Sequence, residues 1–318
     1  MIKLIKNDLK TCDVLVDEFK QTIQPTNPEK LLFSGVDGRD VYNITAPFLD
    51  EGDFIIAGRV EERDSEDSQV YFFVEHNGRW IPREGAPIFD LQDPFVTRID
   101  GELVLGGVET FPSPTIEGAL GWRTIFYKGK SLASLKRFAQ GPDGMKDLRL
   151  VELQNGSIGV LTRPQGKKGG KGKIGFSKIS SLDQLTLEVI EVAPLLTGQF
   201  KDEEWGGGNE MHVLSNGLLG ILGHIASFDK VGKRKYFPMV FVLNPETLEY
   251  SDLQIIALRS NFIDGPAKRT DLVDVVFSGG LVRKSNGTAV LYAGISDVEA
   301  QTVTIQDPFI QYENEENK

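Results

Sequence analysis

Asp93-Pro94-Phe95-Val96-Thr97-Arg98-Ile99-Asp100-Gly101-Glu102-Leu103-Val104-Leu105-Gly106-Gly107 contains the unit from which this chain is built. An acidic residue opens a short strand, an Asp-Gly pair turns the chain back, and a second, apolar strand ends in glycine. Asn-Gly or Asp-Gly between apolar runs is a strong hairpin signal, because the tight turn needs φ > 0 at its centre. The unit recurs about five times, at intervals of roughly 50 to 65 residues, which marks a repeat architecture. The opening acids align as Asp40, Asp93, Asp147, Glu210 and Asp274. The second strands align at residues 54–58, 103–107, 158–161, 218–223 and 289–294. Several strands per copy at this period predict an all-β fold, a five-bladed β-propeller of four-stranded antiparallel blades. Radial strands aim their first residues at a common axis, so acids far apart in sequence are expected to meet in one pocket.

The repeat fills most of the 318 residues and predicts a single domain. Its blades run over approximately 35–90, 91–145, 146–204, 205–265 and 266–312, with a disordered charged tail at 313–318. Hydrophobic residues make up 40% and charged residues 25%, enough for a full core. A net charge of −11 and a pI near 4.9 argue against a nucleic-acid partner, which needs a basic footprint. Cys12 is the only cysteine, so neither an internal disulfide nor a cysteine-based metal cluster is expected; no metal or cofactor is called for. Residues 1–10 are broken by charge every few positions, and nothing approaches the ~18 apolar residues of a membrane span. A cytoplasmic protein with no membrane partner is the expectation.

The first thirty residues read as an entry strand and a loop marked by Pro25 and Pro28. Further turns fall at Asn77-Gly78, Asn155-Gly156, Asn216-Gly217 and Asn286-Gly287. Helical periodicity is scarce, limited to a turn or two over 132–138 and 180–185. Gln92-Asp93-Pro94-Phe95 recurs as Gln306-Asp307-Pro308-Phe309, consistent with a closing ring. The Gly166-Lys167-Lys168-Gly169-Gly170-Lys171-Gly172-Lys173 run fails the phosphate-loop pattern, because Lys171 stands where the second glycine belongs and Ile174 where Ser or Thr is required. It reads as a flexible basic hairpin loop that could lie over the pocket mouth.

A carboxylate buried in a propeller core is costly unless partnered, so the five acids belong at the pocket mouth or in a paired network. Singly, each is more often a turn former than a catalyst. Arg59, Arg163 and His224 sit just beyond the second strands, with Lys146, Arg149 and Lys235 nearby in sequence. Convergent cations beside an acid make a site for an anion such as phosphate next to a proton donor. A glycoside hydrolase of the usual kind needs two carboxylates. A phosphorylase needs one, because phosphate is itself the nucleophile. The cation set is present and a second obligatory carboxylate is not evident, which favours phosphorolysis or a related transfer. His212 reads as an interior histidine, Trp80 and Trp122 as sugar platforms or gap fillers, and Trp205, beside Gly206-Gly207-Gly208, as a pocket edge.

At these residues the chain resembles glycoside hydrolase family 130, the five-bladed β-mannoside phosphorylases. It is more similar still to their relatives long filed as a domain of unknown function and described as β-1,2-mannosyltransferase/phosphorylases. The match runs over about residues 35–310. Ala57-Gly58-Arg59-Val60-Glu61, Gln92-Asp93-Pro94-Phe95, Lys146-Asp147, Leu161-Thr162-Arg163-Pro164, Leu222-Gly223-His224, Tyr236 and Tyr292-Ala293-Gly294-Ile295-Ser296-Asp297 carry it in order. The resemblance implies that Asp93 is the single catalytic acid, protonating the leaving oxygen through the mannose 3-hydroxyl. It implies phosphate binding by Lys146, Arg163, His224 and Tyr236, and sugar contacts by Arg59, Asp147 and Asp297. Arg39, Asp40 and Asn43, in a motif characteristic of the unknown-function relatives, become donor-sugar contacts, and Glu210 and Asp274 join as inner-strand acids. Phe95 and Thr162 replace the family's Arg and His, positions where the anion site could be remodelled. The implied reaction is inverting transfer of mannose between mannose 1-phosphate, or phosphate, and a mannooligosaccharide. Alternatives are a GDP-mannose-dependent mannosyltransferase, a two-carboxylate glycoside hydrolase with Asp147 or Glu210 as second acid, and a non-catalytic sugar-binding propeller.

Overall fold

The structure, a computed structural model, describes residues 4, 8–114 and 116–314. The Asx-Gly turns form where the sequence places them, in two ways. At Asn77-Gly78 and Asp100-Gly101 both residues have positive φ, the mirror-image turn that matches strand twist. At Gly156, Gly217 and Gly287 only the glycine is left-handed, as in slightly longer hairpin loops.

These turns generate five antiparallel meanders. Sheet I pairs both Asp40–Tyr42 and Phe48–Asp50 with Asp53–Glu61, then adds Gln69–His76 and Arg79–Pro82. Sheet II is Gln92–Ile99, Glu102–Pro112, Leu120–Gly129 and Lys136–Gln140. Sheet III holds three strands, Arg149–Glu152, Ile158–Thr162 and Gly175–Ile179. Sheet IV is Trp205–Val213, Leu219–Phe228, Arg234–Leu243 and the short Gln254–Ile255. Sheet V is Asp274–Arg283, Thr288–Ile295 and Glu299–Gln306, with Thr26–Lys30 from the other end of the chain as its outer strand. A two-residue parallel seam, Lys235 to Asp274 and Tyr236 to Val275, joins sheets IV and V. Strand number is thus four in three sheets, five in sheet I and three in sheet III, so the uniform four expected from the repeat is not kept.

Apolar clusters lie between successive sheets. Ile55 and Phe72 of sheet I meet Leu103 and Ile125 of sheet II. Phe126 meets Val160 between II and III, Phe176 meets Phe241 between III and IV, and Val242 meets Leu291 between IV and V. Ala300 of sheet V joins Val41, Ile56 and Phe73 of sheet I, so the last sheet packs on the first.

The N-terminal expectation needs correction. Residues Cys12–Phe19 form a helix capped by Thr11, whose side chain accepts from the Val14 amide, and Cys12, Leu15 and Phe19 are buried. Apolar residues three and four apart on an eight-residue segment are a helical pattern too short to stand out in sequence. Pro28 lies inside a strand, tolerated because that strand is an edge. Of the two expected helical stretches, only Leu132–Ser134 and Leu182–Gln184 form 3₁₀ turns, and Lys136–Gln140 is a strand. Helix Leu187–Val192, capped by Thr186, was not expected. The basic run contains a helical turn at Gly166–Gly169 rather than a plain hairpin. The second Gln-Asp-Pro-Phe ends a strand instead of opening one: Asp307 binds Arg283 at 2.8 Å and Phe309 plugs the core. The charged tail begins as helix Ile310–Asn314, with Glu313 paired to Arg283, and residues 315–318 lie outside the described residues.

Candidate active site

Residues in and beside the inner strands are aimed by local departures from regular β geometry. Asp93 has φ 48° and sits where the register slips between Gln92 and Phe95. Asn43 and Asp147 are also left-handed, at φ 45° and 59°. Asn209 lies in the register shift between Gly208 and Glu210. Asn and Asp tolerate the left-handed region best among non-glycine residues, and a bulge re-aims a side chain.

Nine of the thirteen predicted residues line one cavity of about 290 Å³: Asn43, Arg59, Asp93, Lys146, Asp147, Arg163, His224, Tyr236 and Asp297. Asp93 accepts from Asn43 Nδ2 at 2.7 Å and from Arg59 Nη1 at 3.2 Å. Arg59 is anchored behind by Glu61 at 2.7 Å and Ser68 at 2.8 Å, with its guanidinium over the Tyr42 ring. Glu61 is buried and also bonded by Tyr42, Ser68 and Lys268. Arg163 Nε donates to Gly206 O at 2.8 Å and stands 3.3 Å from Asp147 Oδ2. Neither Asp147 oxygen nor Arg163 Nη1 has a hydrogen-bond partner among the described residues, although all are buried. Groups left so are expensive, and each calls for a compensating partner such as an ion or water. The Lys146 side chain makes no hydrogen bond or ion pair among the described residues. Tyr236 accepts from Trp205 Nε1 at 3.0 Å, which leaves its own hydroxyl proton to give, and its ring stacks on His224.

Gly207 makes this packing possible. A Cβ there would lie 2.8 Å from Arg163 Cδ and 3.0 Å from both Asp147 and His224. The Gly206-Gly207-Gly208 run is therefore a signature of the site as well as a pocket edge.

Electrostatics separate the carboxylates. Burial pushes Asp93 up, but Arg59, Lys146 and the Asn43 amide outweigh it and hold the group below its ordinary value. Asp147 faces the same burial, and Arg163 and Lys146 bring it down to about 2. Asp297, in a left-handed turn with Ser296, is driven up to about 6 by burial, with the Asp93 charge adding to the effect. Burial takes His224 down to about 3 against the pull of Asp147, so its imidazole is neutral.

Four predicted residues are placed elsewhere. Asp40 pairs with Arg63 on the surface side of its strand. Arg39 donates to Val36 O, Gln69 and Tyr71. Glu210 lines a separate cavity of about 140 Å³, accepting from the Leu281 amide at 2.7 Å and bonding His212 at 2.9 Å. Asp274 is exposed within the parallel seam, opposite Lys235. In sheet I it is Asn43, just past the end of its strand, that reaches the larger cavity. Asn209 of sheet IV lines the smaller cavity with Glu210 and meets the larger one through His224. Phe95 lines the smaller cavity too, and neither it nor Thr162 borders the larger one.

An adjoining groove of about 520 Å³ shares Glu66, Gln92, Lys146, Arg163 and Tyr236 with the cavity. Its apolar wall is Leu120, Trp122, Trp205 and Phe228, and Lys171 of the basic run borders it. Trp205 is a groove residue as expected, and Trp122 is another. Glu61, Glu66 and Lys268 were missed. Glu61 was visible within the Arg-Val-Glu motif, whereas Lys268 is brought to it from 207 positions away.

Among similar solved structures is MPT-4, a mannose phosphorylase from Leishmania mexicana in complex with phosphate ion, 34% identical over 94% of each chain with TM-score 0.87. MPT-1, a GDP-Man-dependent mannosyltransferase from the same organism, is 33% identical over 94% of this chain and 95% of its own, with TM-score 0.85. A β-1,2-mannobiose phosphorylase from Listeria innocua shares the fold at 13% identity, TM-score 0.57, over 93% of this chain and 96% of its own. No curated protein matches the sequence. The model of the family described as "Protein of unknown function (DUF1861)" matches residues 17–311, and the chain belongs to that family.

Proposed function

We propose that this protein is an inverting mannosyl-transferring enzyme that moves mannose between mannose 1-phosphate, or phosphate, and β-mannooligosaccharides. The convergence of one well-held acid, Asp93, with Lys146, Arg163, His224 and Tyr236 in a single cavity carries this reading. The five meanders serve as the blades of one five-bladed propeller domain, whose inner strands deliver these side chains to the axis. The similarity to MPT-4, solved with phosphate, supports the anion role of the clamp.

In phosphorolysis a phosphate oxygen attacks C1 of the mannoside, the C1–O bond to the sugar chain breaks, and the departing oxygen takes a proton originating at Asp93. In the opposite direction phosphate leaves C1, an acceptor hydroxyl attacks, and its proton goes to Asp93. Asp93 is ionised in the free protein, so it acts as an acid only once a proton reaches it. Asp297 is the cavity carboxyl that holds one nearest to neutrality. Asp147 and Arg59 fit sugar-hydroxyl contacts, an assignment supported by the open bonding capacity of Asp147.

A second reading, transfer from GDP-mannose, is favoured by the groove, where Trp122 and Phe228 offer apolar surface for a base next to the anion clamp. The similarity to MPT-1 supports it. Turnover of GDP-mannose and mannose 1-phosphate, measured side by side with mannobiose as acceptor, decides between them. Mannose 1-phosphate as the better donor is expected; GDP-mannose alone being used would replace the first reading with the second.

A further inference from the structure

The anion clamp contains a group that cannot donate. Asn209 Nδ2 donates to Ser278 O at 2.7 Å, which fixes the direction of its amide. Its Oδ1 is therefore the atom facing His224 Nδ1 at 2.9 Å, and that ring nitrogen must carry the proton. The Ser278 side chain is tied in turn to Gly223 O at 2.6 Å, and Arg149 holds the Asn209 carbonyl at 2.7 Å, so the chain of bonds has no alternative setting. The imidazole is buried, stacked on Tyr236 with ring centroids 5.3 Å apart and against Phe277 at 5.7 Å, and is neutral. Its Nε2, which has no partner among the described residues, carries a lone pair. Lys146, Arg163 and Tyr236 offer donors around the same cavity, whereas His224 offers an acceptor.

We infer that His224, held in this tautomer by Asn209, selects an oxyanion that still bears a proton, so that the site binds hydrogen phosphate and rejects sulfate. The two ions match in shape and charge, but only hydrogen phosphate has an O–H to give to Nε2. Sulfate would set an oxygen lone pair against the nitrogen lone pair. A buried acceptor that is left unpaired discriminates more strongly than a missing contact does. The same bond turns the protonated oxygen toward His224 and leaves unprotonated oxygens for the sugar carbon. This inference rests on the proposed anion clamp, and Asn209 is a positioning residue within it.

The test is calorimetric titration of the whole protein with inorganic phosphate, arsenate and sulfate in mildly alkaline buffer, where all three are divalent. Phosphate and arsenate should bind at least about tenfold more tightly than sulfate. In His224→Gln, whose amide can rotate to donate, the ratio should approach one. In Asn209→Asp the new carboxylate favours a doubly protonated ring, and the ratio should fall as well. Equal binding of phosphate and sulfate by the unmodified protein, or an unchanged ratio in both variants with the fold intact, overturns the inference while leaving the clamp standing. Failure of all three anions to bind overturns the clamp and the inference together.

Discussion

At the residue scale, three carboxylates share one cavity but answer to different neighbours. Asp93 and Asp147 are kept ionised by Arg59, Lys146 and Arg163, whereas Asp297 has no hydrogen bond among the described residues and is raised. Replacing Asp93 by Asn should lower kcat by about 10²–10⁴-fold, the usual worth of a positioned acid, with the circular-dichroism spectrum unchanged. The pH profile of kcat/KM should show an inflection near the Asp297 value of about 6. Asp297→Asn should remove that inflection; its persistence in the variant would assign it to another group. These residues were legible to different degrees. Asp93, Lys146 and Arg163 sit in short motifs whose order along the chain carried the reading. Asn43, expected as a sugar contact, lines the cavity and also donates to Asp93, a hydrogen bond across 50 positions that is not written in local pattern.

At the scale of elements, bulges and glycines do the positioning. The alignment of opening acids found the correct strands, yet it chose Asp40, Glu210 and Asp274 over the residues that turn inward. Sequence marks acidity, and geometry marks the irregular position. Both coincide at Asp93 and Asp147, and these two of the aligned acids line the cavity. The Arg59–Glu61–Lys268 network then ties the strand Asp53–Glu61 to the segment preceding sheet V. Glu61→Ala removes the buried carboxylate that Arg59 and Lys268 share, leaving them Asp93 and Glu66, and should destabilise the fold by about 1.5–3 kcal/mol in denaturant titration. A loss below ~1 kcal/mol would mean that water replaces the carboxylate. Gly207→Ala should leave the sheet formed but displace Arg163, visible as weakened phosphate binding together with a loss of about 1–3 kcal/mol of stability.

At the scale of the whole molecule, the chain closes on itself: Thr26–Lys30 completes the sheet that Glu299–Gln306 would otherwise leave with an open edge. Deleting residues 1–30 removes that strand and the buried Cys12, Leu15 and Phe19. It should lower the melting temperature by many degrees and promote association through the bared edge. The all-β class was readable because turn signals recur regularly; the strand count per sheet was not, because each outer strand depends on packing. Acid stability follows from the buried groups. His224 titrates at an ordinary 6.5 when unfolded and at about 3 when folded. The unfolded chain therefore binds the extra proton, and stability drops as pH falls below 6.5. Asp147 continues the loss from 3.8 toward about 2. Asp297 works the other way, because at about 6 when folded against 3.8 when unfolded it gains a proton on folding and offsets the His224 loss between those values. Thermal melts against pH should therefore fall mainly below 3.8, and His224→Gln should turn the window between 6 and 3.8 into a gain on acidification.

Joint action of Asp93 and the anion clamp in mannosyl transfer is read out by phosphate release from mannose 1-phosphate in the presence of short β-mannooligosaccharides. Release should require the acceptor and be lost in Asp93→Asn, with phosphate binding by that variant intact. Release that continues undiminished in a folded Asp93→Asn protein would contradict that joint action.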